Sequence, residues 1–187
     1  MPVLLVPLAI IFAGAVIAAL FWLTPLRGRL TITRLAAALA LAPLAAFIVL
    51  LTFLPASAKA PLTWSFSWIP TLNLSAGLYF DDLSALFALI VTGIGTLVVV
   101  YAGYYFKGDP DNHARFLTYL LLFMGAMLGV VMAGDVITLF IFWEATSITS
   151  FLLVAYKTKD EEARRGGFQA LFITGGGGIA LLAGLLM

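Results

Sequence analysis

Six stretches of this chain, near residues 3–23, 32–54, 83–106, 115–133, 136–156 and 167–187, are apolar enough and long enough to cross a bilayer as helices. No other feature constrains the fold so strongly. In hydrocarbon every backbone N–H and C=O must find a partner inside the protein, and a helix satisfies them within a single segment. With 63% of its 187 residues hydrophobic and only 10% charged, the chain has far more apolar surface than a water-soluble domain needs. The expected fold is an all-α integral membrane protein. It has one membrane domain over residues 1–187, about six transmembrane helices, and a short extracytoplasmic β-hairpin between the second and third.

Composition removes several function classes. A net charge of +1 offers no nucleic acid an electrostatic footprint. Without cysteine there are no disulfides, no thiolate chemistry and no cysteine-held metal. His113, the one histidine, cannot by itself build a zinc or haem site. The first apolar run has no basic residue before Arg27 and exceeds the length of a cleaved leader's core, so it is expected to remain as a helix.

Between the spans the sequence carries local signals. Pro7 is tolerable in a first helical turn, while Pro43 lies inside the second span and should kink it. Thr31 is positioned to cap that span, after a short basic turn at 24–29. Residues 55–79 form the longest extramembrane segment. There, Trp64-Ser65-Phe66-Ser67-Trp68 and Leu72-Asn73-Leu74-Ser75 alternate with period two, which predicts a hairpin on the membrane surface. Its aromatic residues suit the interfacial belt and a structural role. Asp81 and Asp82 open the third span, where the helix dipole and unpaired amides favour carboxylates; a part in cation entry is the other reading. Residues 107–113 and 134–135 read as turns, and 157–165 as a solvated loop of mixed charge. The small residues Gly125, Ala126 and Gly129 permit close helix approach in the fourth span. Gly175 to Gly178 in the sixth, a span that also holds Gln169 and Thr174, read as a packing seam or else an unwound point.

Glu144 stands apart. It is the single ionisable residue in the run from Val136 to Tyr156, eight positions from one end and twelve from the other. At about 1.5 Å per residue its carboxyl lies within a few Å of the bilayer midplane. A charge there costs about 2.5–3.5 kcal/mol on insertion scales, so such a residue is a functional candidate by default. Ser147 is placed to donate a hydrogen bond to it, and Phe140 and Trp143 supply apolar bulk on either side. All ten basic residues lie at span ends or in loops. The Glu144 carboxyl is therefore either protonated or paired with a cation from outside this sequence.

The same basic residues predict topology. Arg27, Arg29, Arg34, Lys107, Arg115, Lys157, Lys159, Arg164 and Arg165 flank alternate turns, and only Lys59 falls on the other side. By the positive-inside rule those turns are cytoplasmic and the N-terminus of this plasma-membrane, multi-pass chain is extracytoplasmic.

The stretch Tyr119–Val131, the run LFIFWEATSITSFLLVAY, the segment RRGGFQALFIT, the FDDLSALF opening of the third span and the tryptophan-rich hairpin before it together resemble a known family. They are similar to the N-terminal part of the A component of the Mrp-type multisubunit Na+/H+ antiporters, relatives of the antiporter-like subunits of respiratory complex I. The resemblance spans most of residues 64–187. It implies that FWEATS carries the fifth-span glutamate, Glu144, which in the family pairs with a lysine on a broken seventh helix of a bundle of about fourteen. This sequence stops after its sixth span, so the resemblance implies a fragment or split product whose missing C-terminal helices hold the cation. The expected function is a part in proton-coupled Na+/H+ antiport, with Glu144 as a proton-relay carboxylate and with Ser147, Asp81 and Asp82 as supporting polar groups. It is not an enzyme and needs no cofactor; its partners are other antiporter subunits, the lipid bilayer, Na+ and H+. Two alternatives stay open: the proton-pumping, antiporter-like subunit of a redox-driven complex such as complex I or a membrane hydrogenase, and a structural membrane-assembly subunit.

Overall fold

The computed structural model describes residues 2–24, 30–69, 74–107, 113–157 and 160–186. All but Thr24 of the expected basic turn at 24–29, residues 70–73 with the first half of the expected alternating run at 72–75, most of the polar turn at 107–113 and residues 158–159 lie outside the described residues.

The fold is all-α apart from one hairpin, and six of its helical segments are long and apolar enough to cross a membrane. After a 3-10 turn at Pro2–Leu4 comes α1 (Leu5–Leu23), with Pro7 in its first turn, where its missing N–H has no helical acceptor to lose. The second span is broken into α2 (Ile32–Leu39) and α3 (Leu41–Ser57). Pro43 explains the break. It has no N–H for the Leu39 carbonyl, and its ring crowds that same group, so α2 stops at Leu39. Thr31 occupies the N-cap position of α2 but makes no side-chain capping bond.

The end of α3 differs from the sequence expectation. The helix runs through Pro55 to Ser57 instead of ending at Leu54. Pro55 costs the Leu51 carbonyl its donor, but three residues further on the Leu54 carbonyl accepts from both the Ala58 N–H and the Ser57 hydroxyl, each at 3.1 Å. The connection from α3 to the hairpin therefore begins at Ala58.

Strands β1 (Leu62–Ile69) and β2 (Leu74–Phe80) pair antiparallel, with Trp64 opposite Leu78 and a register shift between Ser67 and Ile69. Phe80, fully buried, meets Phe53 of α3 edge-on with centroids 5.7 Å apart. Next come α4 (Asp82–Tyr105), α5 (Ala114–Val131), α6 (Val136–Val154) and α7 (Glu161–Leu186). The start of α7 is a second difference. Residues 161–165 are largely exposed, as expected, but helical and not loop, because Asp160 Oδ1 accepts from the N–H groups of Glu162 (3.0 Å) and Ala163 (3.3 Å) and caps the first turn.

At the centre α1 packs on α3 and α5, with Ile11, Ala15 and Ala18 meeting Leu117, Leu121 and Leu128 in one core. Lipid offers apolar side chains as good an environment as a neighbouring helix does, so close shape fit has to hold these helices together. The small residues of α5 supply it. A Cβ on Gly125 would stand 2.9 Å from the Phe12 ring of α1, and one on Gly129 would strike the Phe142 ring of α6. Outside this core α6 packs against α5, and α7 lies against α6 at the edge of the bundle. The far face of α7 shows Phe172, Ile173 and Ile179, each more than 60% exposed.

Candidate functional site

The site is built along α6, and its foundation is the start of that helix. Asp135 is the N-cap: Oδ1 accepts the Thr138 N–H and Oδ2 accepts the Thr138 hydroxyl, both at 2.8 Å. The same hydroxyl oxygen accepts the buried Gly77 N–H of β2 at 2.9 Å. Gly134 N–H donates to the Gly77 carbonyl and Tyr79 N–H to the Met132 carbonyl, each at 2.8 Å, so Ala133 in the turn between α5 and α6 forms a single antiparallel bridge with Leu78 of β2. The hairpin is thus bonded to the helix that carries Glu144. Neither Asp135 nor Thr138 stands out as a site candidate in the sequence, although an Asp immediately before an apolar helical run is an N-cap signal.

Two turns further on, Glu144 sits near the middle of α6. Its neighbours' hydroxyls are engaged within their own helix. Thr146 and Ser147 donate to the Trp143 carbonyl at 2.6 and 3.3 Å, and Thr149 donates to the Ala145 carbonyl at 2.7 Å. The expected bond from Ser147 to the Glu144 carboxyl is not formed, because the carbonyl one turn back captures that donor. Glu144 Oε1 is buried and has no hydrogen-bond partner among the described residues. It lies in the contact between α6 and α7, against the backbone of Gly178, where any Cβ would collide with it. The described basic residues all lie at helix ends: Arg34, Lys59, Lys107, Arg115, Lys157, Arg164 and Arg165.

The four glycines now separate. Helix α7 is continuous through them, which excludes the unwound point, and the packing seam narrows to one residue. A Cβ at Gly175, Gly176 or Gly177 would meet nothing within 4 Å, whereas Gly178 is buried against Glu144 and Trp143.

Asp81 and Asp82 do not join Glu144. They lie at the hairpin end of the bundle, where Asp81 caps α4 by accepting the Ser84 N–H at 2.8 Å. That bond holds the Asp81 carboxyl below the ordinary carboxylate range. At the opposite end a second cluster forms that sequence reasoning did not foresee. His113 stacks on Phe106 with centroids 3.8 Å apart, and its Nδ1 lies 2.8 Å from the Tyr156 hydroxyl. Arg115 covers the Tyr156 ring and donates to the Tyr156 carbonyl at 2.9 Å. This joins the start of α5 to the end of α6. Among the described residues no three His, Cys, Asp or Glu side chains gather as a metal site.

Two family descriptions match the chain. One, complex I chain 5 N-terminus, covers residues 64–117, and the other, the transmembrane family of NADH:quinone oxidoreductase and Mrp antiporters, covers residues 133–187. The chain belongs to this antiporter-like subunit family. Its likeness is to the N-terminal part of the A component of such antiporters. The Na+/H+ antiporter A component of Alkalihalophilus pseudofirmus is 41% identical over 143 residues, 76% of this chain and 18% of that protein. A probable K+/H+ antiporter A/B component of Rhizobium meliloti is 42% identical over 177 residues, 94% of this chain and 17% of that one. Among solved structures, the Mrp complex from Dietzia sp. DQ12-45-1b superposes with a TM-score of 0.79 at 30% identity, over 96% of this chain and 18% of that one. An archaeal respiratory membrane complex, the membrane-bound sulfane sulfur reductase, shares the fold with a TM-score of 0.75 at 21% identity, over 98% of this chain and 26% of that one. The chain thus spans under a fifth of the length of these curated relatives. Within this antiporter-like, multi-pass membrane chain the first match takes in the hairpin and α4, and the second takes in α6 and α7 with Glu144 and Gly178.

Proposed function

We propose that this chain forms the N-terminal part of a proton-coupled monovalent cation antiporter of the Na+/H+ class, with Glu144 taking up and releasing the proton near the membrane midplane. One observation carries the reading: the only Asp, Glu, Lys, Arg or His between Asp135 and Lys157 lies at the middle of a spanning helix, with one carboxyl oxygen buried and unpaired among the described residues. A carboxyl so placed costs stability and serves no packing need that glutamine or leucine would not serve better, which favours a role in proton transfer. The names of the similar Na+/H+ and K+/H+ antiporter subunits support the substrate class. The cation that faces Glu144 in its charged form would come from helices C-terminal to these six, in assembly with further subunits. The six described basic residues at the His113–Tyr156 end, against Lys59 at the hairpin end, support a cytoplasmic location for the former and an extracytoplasmic N-terminus in the plasma membrane.

A second reading, a proton-pumping subunit of a redox-driven complex, is favoured by the complex I wording of the first family match and by the NADH:quinone oxidoreductase that the second names beside Mrp antiporters. Co-purification of iron–sulfur subunits would support it, and co-purification of small membrane subunits alone would support the antiporter. In the complete assembly, Glu144→Gln is expected to keep fold and assembly and to abolish or strongly depress proton-coupled transport. Glu144→Asp is expected to keep part of it. The measurement is dye-monitored antiport in membrane vesicles holding equal amounts of assembled complex. Unchanged transport in Glu144→Gln would make the carboxyl a structural group and this part of the chain an assembly element.

A further inference from the structure

The glycine run of α7 has an unequal geometry. Helix α6 presents Glu144 and Trp143 to α7, and of the four consecutive glycines only Gly178 receives them. A Cβ at this position would overlap Glu144 Oε1 and come within 3.1 Å of its carboxyl carbon and 3.7 Å of Trp143 Cδ1. The three preceding glycines have open space where a Cβ would stand. No hydrogen bond to Oε1 among the described residues holds the carboxyl there. The restraints that these residues place on that oxygen are steric, and the surface that bounds it is bare α7 backbone.

We propose that Gly178 is a positioning residue for the Glu144 carboxyl: by having no side chain, it provides the notch in α7 that admits a glutamate-length side chain at the α6–α7 contact. This rests on the proton-transfer reading of Glu144 and deepens it. In the notch Oε1 is held at one place between two rigid helices, where a proton donor or acceptor meets it at a fixed distance. Filling the notch forces the carboxyl to rotate out or the helices to part. A displacement of about 1 Å at a reacting group is enough to lower a rate by about a hundredfold. Helix strength is not the reason for glycine here, since alanine is the better helix former by about 1 kcal/mol. Any loss on replacing Gly178 by alanine therefore comes from the contact and not from a weakened α7.

The test uses the full-length subunit in its assembled complex, with antiport followed in vesicles at matched amounts of complex. Gly178→Ala is expected to lower transport by at least about tenfold, while Gly176→Ala and Gly177→Ala stay within about twofold of the parent. Glu144→Asp draws the carboxyl back by one methylene and should make room for the added methyl. Gly178→Ala placed in the Glu144→Asp background should then cost nothing further, a non-additivity expected only of residues in contact. Equal losses at 176, 177 and 178 would overturn the proposal, as would a Gly178→Ala defect that persists undiminished in the Glu144→Asp background. Either result leaves the Glu144 reading standing if Glu144→Gln is inactive. An active Glu144→Gln would overturn that reading itself.

Discussion

Thr138 is where the structure makes its most quantitative demand. Its hydroxyl accepts the buried Gly77 N–H at 2.9 Å and donates to Asp135 Oδ2 at 2.8 Å, so one oxygen joins the hairpin to the cap of α6. Thr138→Val keeps the shape and removes both bonds. Stranding a buried N–H costs about 1–3 kcal/mol, and the bond to the half-buried Asp135 adds about 0.5–1.5 kcal/mol. A total near 3 kcal/mol makes opening of the β2–α6 junction about 150-fold more frequent. Thr138→Ser, which keeps the hydroxyl, is expected to cost less than about 1 kcal/mol. Hydrogen–deuterium exchange of the intact complex, read on peptides covering 74–80 and 132–139 with the α5 core around Leu117–Leu121 as internal reference, measures this directly. Exchange in Thr138→Val within about threefold of the parent would refute the reasoning, because it would mean that water or a backbone shift replaces the threonine without loss.

Further outcomes follow from the caps, the charge distribution and the packing of the hairpin. Asp81→Ala should fray the start of α4, raising exchange over residues 82–86, while Asp81→Asn should preserve it because an amide oxygen still caps. Since the Asp81 carboxyl is held below its ordinary range in the folded chain, its contribution is present above about pH 4 and is lost as pH falls below that; the Asn variant should show no such fall. Cysteine at Lys107 should be shielded from an impermeant thiol reagent added outside cells while cysteine at Ala58 reacts, and reversed labelling would invert the proposed orientation. Trp64 packs against the core whereas Trp68 is 53% exposed, so Trp64→Ala should cost about 2 kcal/mol and reduce assembled complex, with Trp68→Ala milder unless a partner subunit covers it.

Much of the fold was legible because its signals are local. Bilayer-length apolar runs, the period-two alternation around Trp64 and the proline at 43 each act through neighbours in sequence, and the structure has six spanning segments, the hairpin and a break at Leu39. Helix ends were less legible, because caps decide them. Asp160 starts α7 six residues before the apolar run does, and the doubly bonded Leu54 carbonyl carries α3 past Pro55. The position of Glu144 near the middle of α6 was also a matter of counting. What its carboxyl touches was not. Four identical glycines are equivalent in sequence, and only the register of α7 against α6 singles out Gly178; likewise only the rotamer of Ser147 decides that its hydroxyl turns back to Trp143. The linkage of Thr138 to Gly77 joins residues 61 apart, a pairing no local pattern encodes. Hydrophobic length and periodicity are properties of a segment, whereas the partner of a polar atom is set by how rigid segments fit against one another, and that fit exists only in the folded bundle.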